Sequence, residues 1–397
     1  MTVRPLDLLT MLRGLALPVA LSSLLAACSQ PSGTPAGFSP EAALGEKAFH
    51  DPSLSSSGRM SCVSCHAAAF GQAAPNALAV QFGGPALDRP GTRAAQPLRY
   101  LESSGAFHFD DEGKARGGFF WDGRADSLAA QAGGPLLNPV EMANADKAAV
   151  VRKIAGAAWA ADFRAVYGAD ILKDTDRAFD KLGQALQRFQ IEDTQLHGYT
   201  SKYDEVLRGR AELNAREARG LRLFNDPDKG NCAACHTSAP SPDGHLPLFT
   251  DFSYDNLGVP RNPEIPANAD PAYFDLGLCQ RAELRRSRPG LCGAFKVPSL
   301  RNVTQRQAYF HNGRFKTLRE VMTFYVQRDT HPEKWYPRAA DGRVRKFDDL
   351  PAAYHGNVNT DEAPYDRKPG DAPALDEAEI EDVIAFLGTL SDGWKPR

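Results

Sequence analysis

The sequence predicts a mainly α fold made of two related helical domains with long loops, and three observations lead there. A lead-in pattern occurs twice. Gly45, Phe49, Asp51 and Pro52 precede Cys62-Val-Ser-Cys65-His66, while Gly220, Phe224, Asp226 and Pro227 precede Cys232-Ala-Ala-Cys235-His236. Internal similarity of this kind marks a duplicated unit. Each half also ends in an apolar stripe at helical spacing: Phe179, Leu182, Leu186 and Phe189 in the first, Ile380, Val383, Ile384, Leu387 and Leu390 in the second. Finally, 34 glycines and 29 prolines among 397 residues put much of the chain in loops. Few stretches alternate apolar and polar residues as strands do.

The chain opens on a targeting signal. Arg4 and Arg13 lead into an apolar run, residues 15–27, too short for a stable membrane span. It ends in Leu25-Ala26-Ala27-Cys28, which resembles a bacterial lipobox whose cysteine is lipidated. The alternative is an ordinary signal cut near Cys28 that leaves a spare thiol. The lipobox reading makes 1–27 a signal peptide and 28–38 a flexible tether. The protein is then periplasmic and held by acyl chains alone, with Ser29 favouring the outer over the inner membrane.

Helix starts are legible in both copies. Ser39-Pro40-Glu41 supplies a cap, a first-turn proline and an acid, and Asn214 caps the second lead-in. The first domain is expected at 39–205 and the second at 206–397, with the boundary near 195–213.

Cys-x-x-Cys-His is the attachment motif of a c-type haem: two thiols bond the macrocycle and the adjacent imidazole reaches the iron. A structural zinc would want a full tetrahedral set of protein ligands, more than each copy offers nearby. A redox dithiol would want a βαβ context, which is missing. Two covalent haems are therefore expected, on Cys62 and Cys65 and on Cys232 and Cys235, with His66 and His236 as proximal ligands. Cys279 and Cys292 form the residual pair. In an oxidising compartment they are expected as a disulfide, the alternative being free buried thiols.

Charge excludes one class of partner. Lys+Arg is 46 against 49 Asp+Glu, a net charge of −3, so no basic excess points to nucleic acid.

A more specific pattern follows. Phe119-Phe120-Trp121-Asp122-Gly123-Arg124-Ala125 leads to Gln131, Pro135, Asn138, Pro139, Val140, Glu141 and Met142. Phe295-Lys-Val-Pro298-Ser-Leu-Arg301-Asn302 leads to Tyr309-Phe310-His311-Asn312-Gly313. With both haem motifs in order, the chain resembles the bacterial di-haem cytochrome c peroxidases and the MauG-type tryptophan-modifying enzymes. The resemblance implies two cytochrome-c-like domains, with peroxide chemistry at the N-terminal haem and electron entry at the C-terminal one. It implies Glu141 as distal acid, Gln131 as distal amide, Pro135 in the same pocket and Trp121 as relay between the haems.

Ligation separates the branches of that family. Classical peroxidases carry a loop histidine before the position of Arg93. None lies between His66 and His108 here, so the first haem is expected to be five-coordinate. The classical methionine ligand of the second haem falls on Tyr325, which matches the tryptophan-modifying branch, and Met322 is the rival one helical turn away. Relatives also place calcium between the haems. Its carbonyl positions map to Arg306 and Ala308, whereas its asparagine position is Ala94. MauG, the quinone maturase that typifies the tryptophan-modifying branch, has a surface tryptophan two residues before its second motif; that position is Gly230 here.

The leading expectation is a di-haem peroxidase that reduces hydrogen peroxide to water with electrons from a small cytochrome c or cupredoxin. The alternatives are peroxide-dependent oxidation of Trp or Tyr on a partner protein, and a plain electron-transfer di-haem cytochrome. A distal acid has no task in a plain carrier. Whether the chain forms a homodimer is left open.

Overall fold

Ser39 accepts a hydrogen bond from Ala42 N and opens helix α1 (Pro40–His50), with Pro40 in its first turn. The computed structural model describes residues 37–396; the signal segment, Cys28 and all but the end of the tether lie outside the described residues. Nine more α-helices follow among the described residues: α2 (Leu128–Leu137), α3 (Lys147–Gly156), α4 (Ala160–Tyr167), α5 (Thr175–Glu192), α6 (Lys202–Leu207), α7 (Ala215–Asn225), α8 (Ala282–Ser287), α9 (Leu318–Gln327) and α10 (Glu377–Gly388). Among the described residues, strands are confined to three antiparallel pairs of two residues each. No helix of the described residues is long and apolar enough to cross a membrane.

The duplication is visible as two identical helix crossings. α1 packs on α5 at Gly45, where an added Cβ would fall 2.0 Å from Ala185 O and 2.7 Å from Phe189 Cβ. α7 packs on α10 at Gly220, where it would fall 2.0 Å from Asp382 O and 2.8 Å from Phe386 Cβ. Only glycine lets two backbones approach this closely. The crossings nucleate separate apolar cores: Leu44, Phe49, Leu182, Leu186 and Phe189 lie in one, Phe224, Ile380, Val383, Phe386 and Leu387 in the other.

A second block is duplicated as well, Phe119–Leu128 with Tyr309–Leu318. Phe119 bridges to Ala125 and Tyr309 to Phe315. Phe120 and Phe310 are both left-handed at φ 65°. Ser127 then caps α2 and Thr317 caps α9. Trp121 and His311 are thus counterparts.

Between the cores, the expected boundary at 195–213 is not a bare linker. It contains α6, whose Asp204 is fully buried and bidentate to Arg301 at 2.7 and 3.0 Å. Phe38–Arg397 forms one unit, and Arg93 ties loops 182 residues apart through both oxygens of Asp275.

Candidate active site

Each Cys-x-x-Cys-His motif begins in a single turn of 3-10 helix that opens onto a cavity. The N-terminal cavity, about 510 Å³, is lined by Cys62, Cys65, His66, Gln131, Pro135 and Glu141. His66 Nδ1 donates to Gln72 O at 3.3 Å, which leaves Nε2 as the lone-pair nitrogen. Burial lowers its pKa to about 4, so the ring is neutral and able to ligate. The same burial raises Cys62 to about 12 and Cys65 to about 11.

The distal side is built by α2 and the turn that follows it. Asn138 organises that turn: its Oδ1 accepts from Val140 N at 3.2 Å and its carbonyl accepts from Glu141 N at 3.0 Å. Its Nδ2 donates to Glu141 Oε1 at 2.7 Å. Gly83 backs the turn so closely that a Cβ would lie 2.6 Å from Glu141 Cα. Burial raises the Glu141 pKa, against opposing pulls from Asn138 and the Arg124 charge. A carboxyl tuned upward beside an amide in a mostly apolar pocket is suited to moving protons.

The C-terminal cavity, about 190 Å³, is lined by Cys232, Cys235, His236, Met322 and Tyr325. His236 Nδ1 donates to Phe249 O at 2.8 Å, and burial lowers its pKa. Both rival ligands therefore reach the same cavity. Met322 is also part of the apolar core at 6% exposure. The Tyr325 ring lies 5.9 Å from that of Tyr365. Burial raises the Tyr325 pKa, helped by nearby Cys232, Cys235 and Asp255, so the phenol is neutral unless a cation draws off its proton.

Trp121 lines both cavities. Its Nε1 donates to Ala94 O at 2.9 Å, and Lys296 N donates to its carbonyl at 2.9 Å. Its neighbour Asp122 joins Arg93 at 2.7 Å and Arg124 at 2.8 Å. The wall between the cavities is thus cross-linked by ion pairs around one indole.

In each cavity, two thiols and an anchored neutral imidazole stand among mostly apolar walls, and these residues fit a c-type haem. Among the described residues, no three His, Cys, Asp or Glu side chains are placed to hold a bare metal ion.

Comparison with known proteins agrees. Residues 39–212 match the di-haem cytochrome c peroxidase family. The methylamine utilization protein MauG of Paracoccus denitrificans is 35% identical over 358 residues, 88% of either chain. The cytochrome c551 peroxidase of Nitrosomonas europaea is 30% identical over 71% of each. The crystal structure of the diheme peroxidase BthA from Burkholderia thailandensis superposes with a TM-score of 0.82 at 42% identity, covering 90% of this chain and 87% of that one. The chain belongs to the di-haem cytochrome c peroxidase and MauG family. It is accordingly an oxidoreductase.

Within this family member, the expected site residues divide between the two cavities. Gln131, Pro135 and Glu141 meet in the first with Cys62, Cys65 and His66, while Tyr325, Met322, Arg306 and Ala308 meet in the second with Cys232, Cys235 and His236. His108 lies on an exposed hairpin, its Nδ1 against Ala106 O at 3.0 Å, and lines neither cavity. Cys279 and Cys292 are joined as a disulfide. The loop they close carries Gln280, and Asp275 lies just before it; both line the N-terminal cavity. Sequence reasoning missed Arg93, Asp122 and Asp275, which brace the wall, and Asn138 as the residue that aims Glu141. Asn138 was at hand inside a recognised motif; Asp275 had no local signal at all.

Proposed function

We propose that this enzyme binds two covalent c-type haems and reduces hydrogen peroxide to two waters, with electrons from a small periplasmic cytochrome c or cupredoxin. What carries the reading is the Gln131 and Glu141 pair over the N-terminal cavity, joined to the second cavity by Trp121. Haem iron, once bound, supplies the open coordination position and the redox equivalents. Gln131 orients peroxide by hydrogen bonding. Glu141, through the oxygen that Asn138 does not hold, takes the proton from one peroxide oxygen and delivers it to the other, so that the departing oxygen leaves as water. His66, oriented by its Gln72 bond, would ligate the iron through Nε2. Electrons enter at the His236 side, and the Trp121 indole spans the wall between the cavities. Two electrons and two further protons complete the balance. The test is steady-state peroxide reduction by haem-loaded Glu141→Gln; turnover equal to wild type would reject the assignment.

A second reading, peroxide-dependent oxidation of Trp or Tyr on a partner protein, is favoured by Tyr325 in the C-terminal cavity and by the similarity to MauG. Gly230, where the maturase has tryptophan, argues against the same protein substrate. Turnover in the absence of any small donor, with a co-purified partner gaining oxidised residues, would select this reading. For location, we propose attachment by acylated Cys28; a Cys28→Ala form that stays membrane-bound after salt washing would contradict it.

A further inference from the structure

Arg306 stands on the wall of the C-terminal cavity near Ala308. Its Nη2 donates to Ser299 O at 2.6 Å, while its Nε is buried with no partner. Arg93, Arg301 and Arg328 each hold an aspartate, Asp275, Asp204 and Asp329; Arg314 and Arg367 also bury an Nε without a partner, but of these unpaired guanidiniums Arg306 alone lines the C-terminal cavity. Arg306 makes no such pair among the described residues. A cation enclosed by protein without a counter-charge is costly, so the missing anion must come from whatever fills the cavity.

The same region does not fit calcium. That ion takes about six to eight oxygens. Ala94 has no side-chain oxygen, and its carbonyl already accepts from Trp121 Nε1 at 2.9 Å. The Arg306 carbonyl accepts from the Tyr309 hydroxyl at 3.0 Å. A fixed guanidinium on the same residue would further repel a dication.

We propose that Arg306 is the anion-binding element of the C-terminal cavity: its Nε–H and Nη1–H groups pair with a carboxylate of the bound haem, and its charge replaces the calcium that relatives hold between the haems. The inference rests on the haem reading above. Haem stoichiometry reports on that reading, whereas calcium content and the potentials of the two haems report on this one.

The test uses enzyme verified to carry two haems, equilibrated with millimolar calcium and then dialysed. Metal analysis should find well under one calcium per chain, and EGTA should leave both haem spectra unchanged. In a redox titration, Arg306→Gln should lower the potential of the His236-side haem, because loss of a nearby cation favours the oxidised state, and should leave the other haem in place. Arg306→Lys should restore most of the shift. Selective loss of the C-terminal haem in Arg306→Gln, rescued in Arg306→Lys, would support the same pairing. One tightly held calcium per chain, or Arg306→Gln with an unmoved potential, would overturn it.

Discussion

Pro135 and Tyr325 occupy the same position in two duplicated helices, each seven residues past the leucine that begins α2 or α9. Each lines the cavity of its own half. On the proposed haem reading, this one helix position would set whether a bound iron has an open or an occupied distal side, because proline offers no donor atom and tyrosine offers an oxygen. Met322 sits one turn earlier, where its counterpart is Ala132.

This relationship yields the ligation prediction. Tyr325→Phe should alter the spectrum of the C-terminal haem and leave the N-terminal one unchanged, while Met322→Leu should change stability more than spectrum. Electron paramagnetic resonance of the fully oxidised enzyme should show a high-spin and a low-spin signal without prior reduction. A silent Tyr325→Phe alongside a shifted Met322→Leu would reassign the ligand.

Glu141 gives the second prediction. Replacing it with Gln keeps the hydrogen bonding volume but removes the proton carrier, so peroxide turnover should fall by roughly 10²–10⁴-fold, the usual worth of a positioned acid–base group. Because burial raises its pKa above the ordinary carboxylate value, the acid limb of the wild-type pH profile should lie above pH 4.5 and be absent from the residual activity of Glu141→Gln. Stopped-flow mixing with peroxide across pH would show both.

Local features of the fold were legible because neighbouring residues determine them. Ser39 and Asn214 cap their helices as their sequence contexts require, and the stripe Phe179 to Phe189 faces the core of its half. Glu141 could be placed only through a recognised motif, since a carboxylate in a loop has no periodicity to betray its burial. The wall around Trp121 was illegible for a different reason. Its braces are ion pairs between loops far apart in the chain, such as Arg93 with Asp275, and charge pairing at long separation leaves no local pattern. The same applies to α6: Tyr203 anchors it in the core of the second half, but the bond that Arg301 donates to its buried Asp204 spans 97 residues.

That bond makes a stability prediction. Arg301 and Asp204 have side-chain exposures of 1% and 0%. Burial alone would raise the Asp204 pKa, but hydrogen bonds and charge from Arg301, with help from Ser201, bring it below the ordinary value of 3.8. Asp204 therefore contributes stability that is present above pH 3.8 and lost as pH falls through its depressed folded-state pKa. Asp204→Asn leaves the arginine unpaired and should cost about 3–5 kcal/mol. Guanidinium unfolding of the haem-loaded protein at neutral pH would measure this, and the mutant should lose less stability on acidification than wild type.

Gly45 and Gly220 should tolerate no side chain. A methyl at either would sit against a backbone carbonyl, and helices displaced to admit it would lose the facing contacts of Phe189 or Phe386. Each Gly→Ala change should cost about 1–3 kcal/mol or more from overpacking. The effect should be confined to its own half, so that Gly45→Ala weakens retention of order around Cys62 while leaving hydrogen exchange near Cys232 unaltered. Uniform loss of protection in both halves would mean that the two cores unfold as one.

Trp121 carries the last prediction. It is 8% exposed and lines both cavities, so an electron passing between them meets one aromatic ring rather than saturated side chains. Its Nε1–H donates to the Ala94 carbonyl, a partner that can accept a hydrogen bond but not take the proton. Oxidation of the indole must then leave a cation, beside an ion-pair chain of two arginines and two aspartates that is already balanced. Trp121→Phe keeps an aromatic wall but removes both the easily oxidised ring and the Ala94 bond. Haem binding and the first reaction with peroxide should persist, because Gln131 and Glu141 are untouched. Delivery of electrons from a donor reduced at the His236 side should slow by at least tenfold, ~1.4 kcal/mol on the barrier. Rapid-mixing spectra that resolve the two haems would separate the steps. Unchanged electron delivery in Trp121→Phe would show that transfer crosses the wall by another route, with the stacked Phe295 and His311 rings, 3.5 Å apart, as the next pair to test.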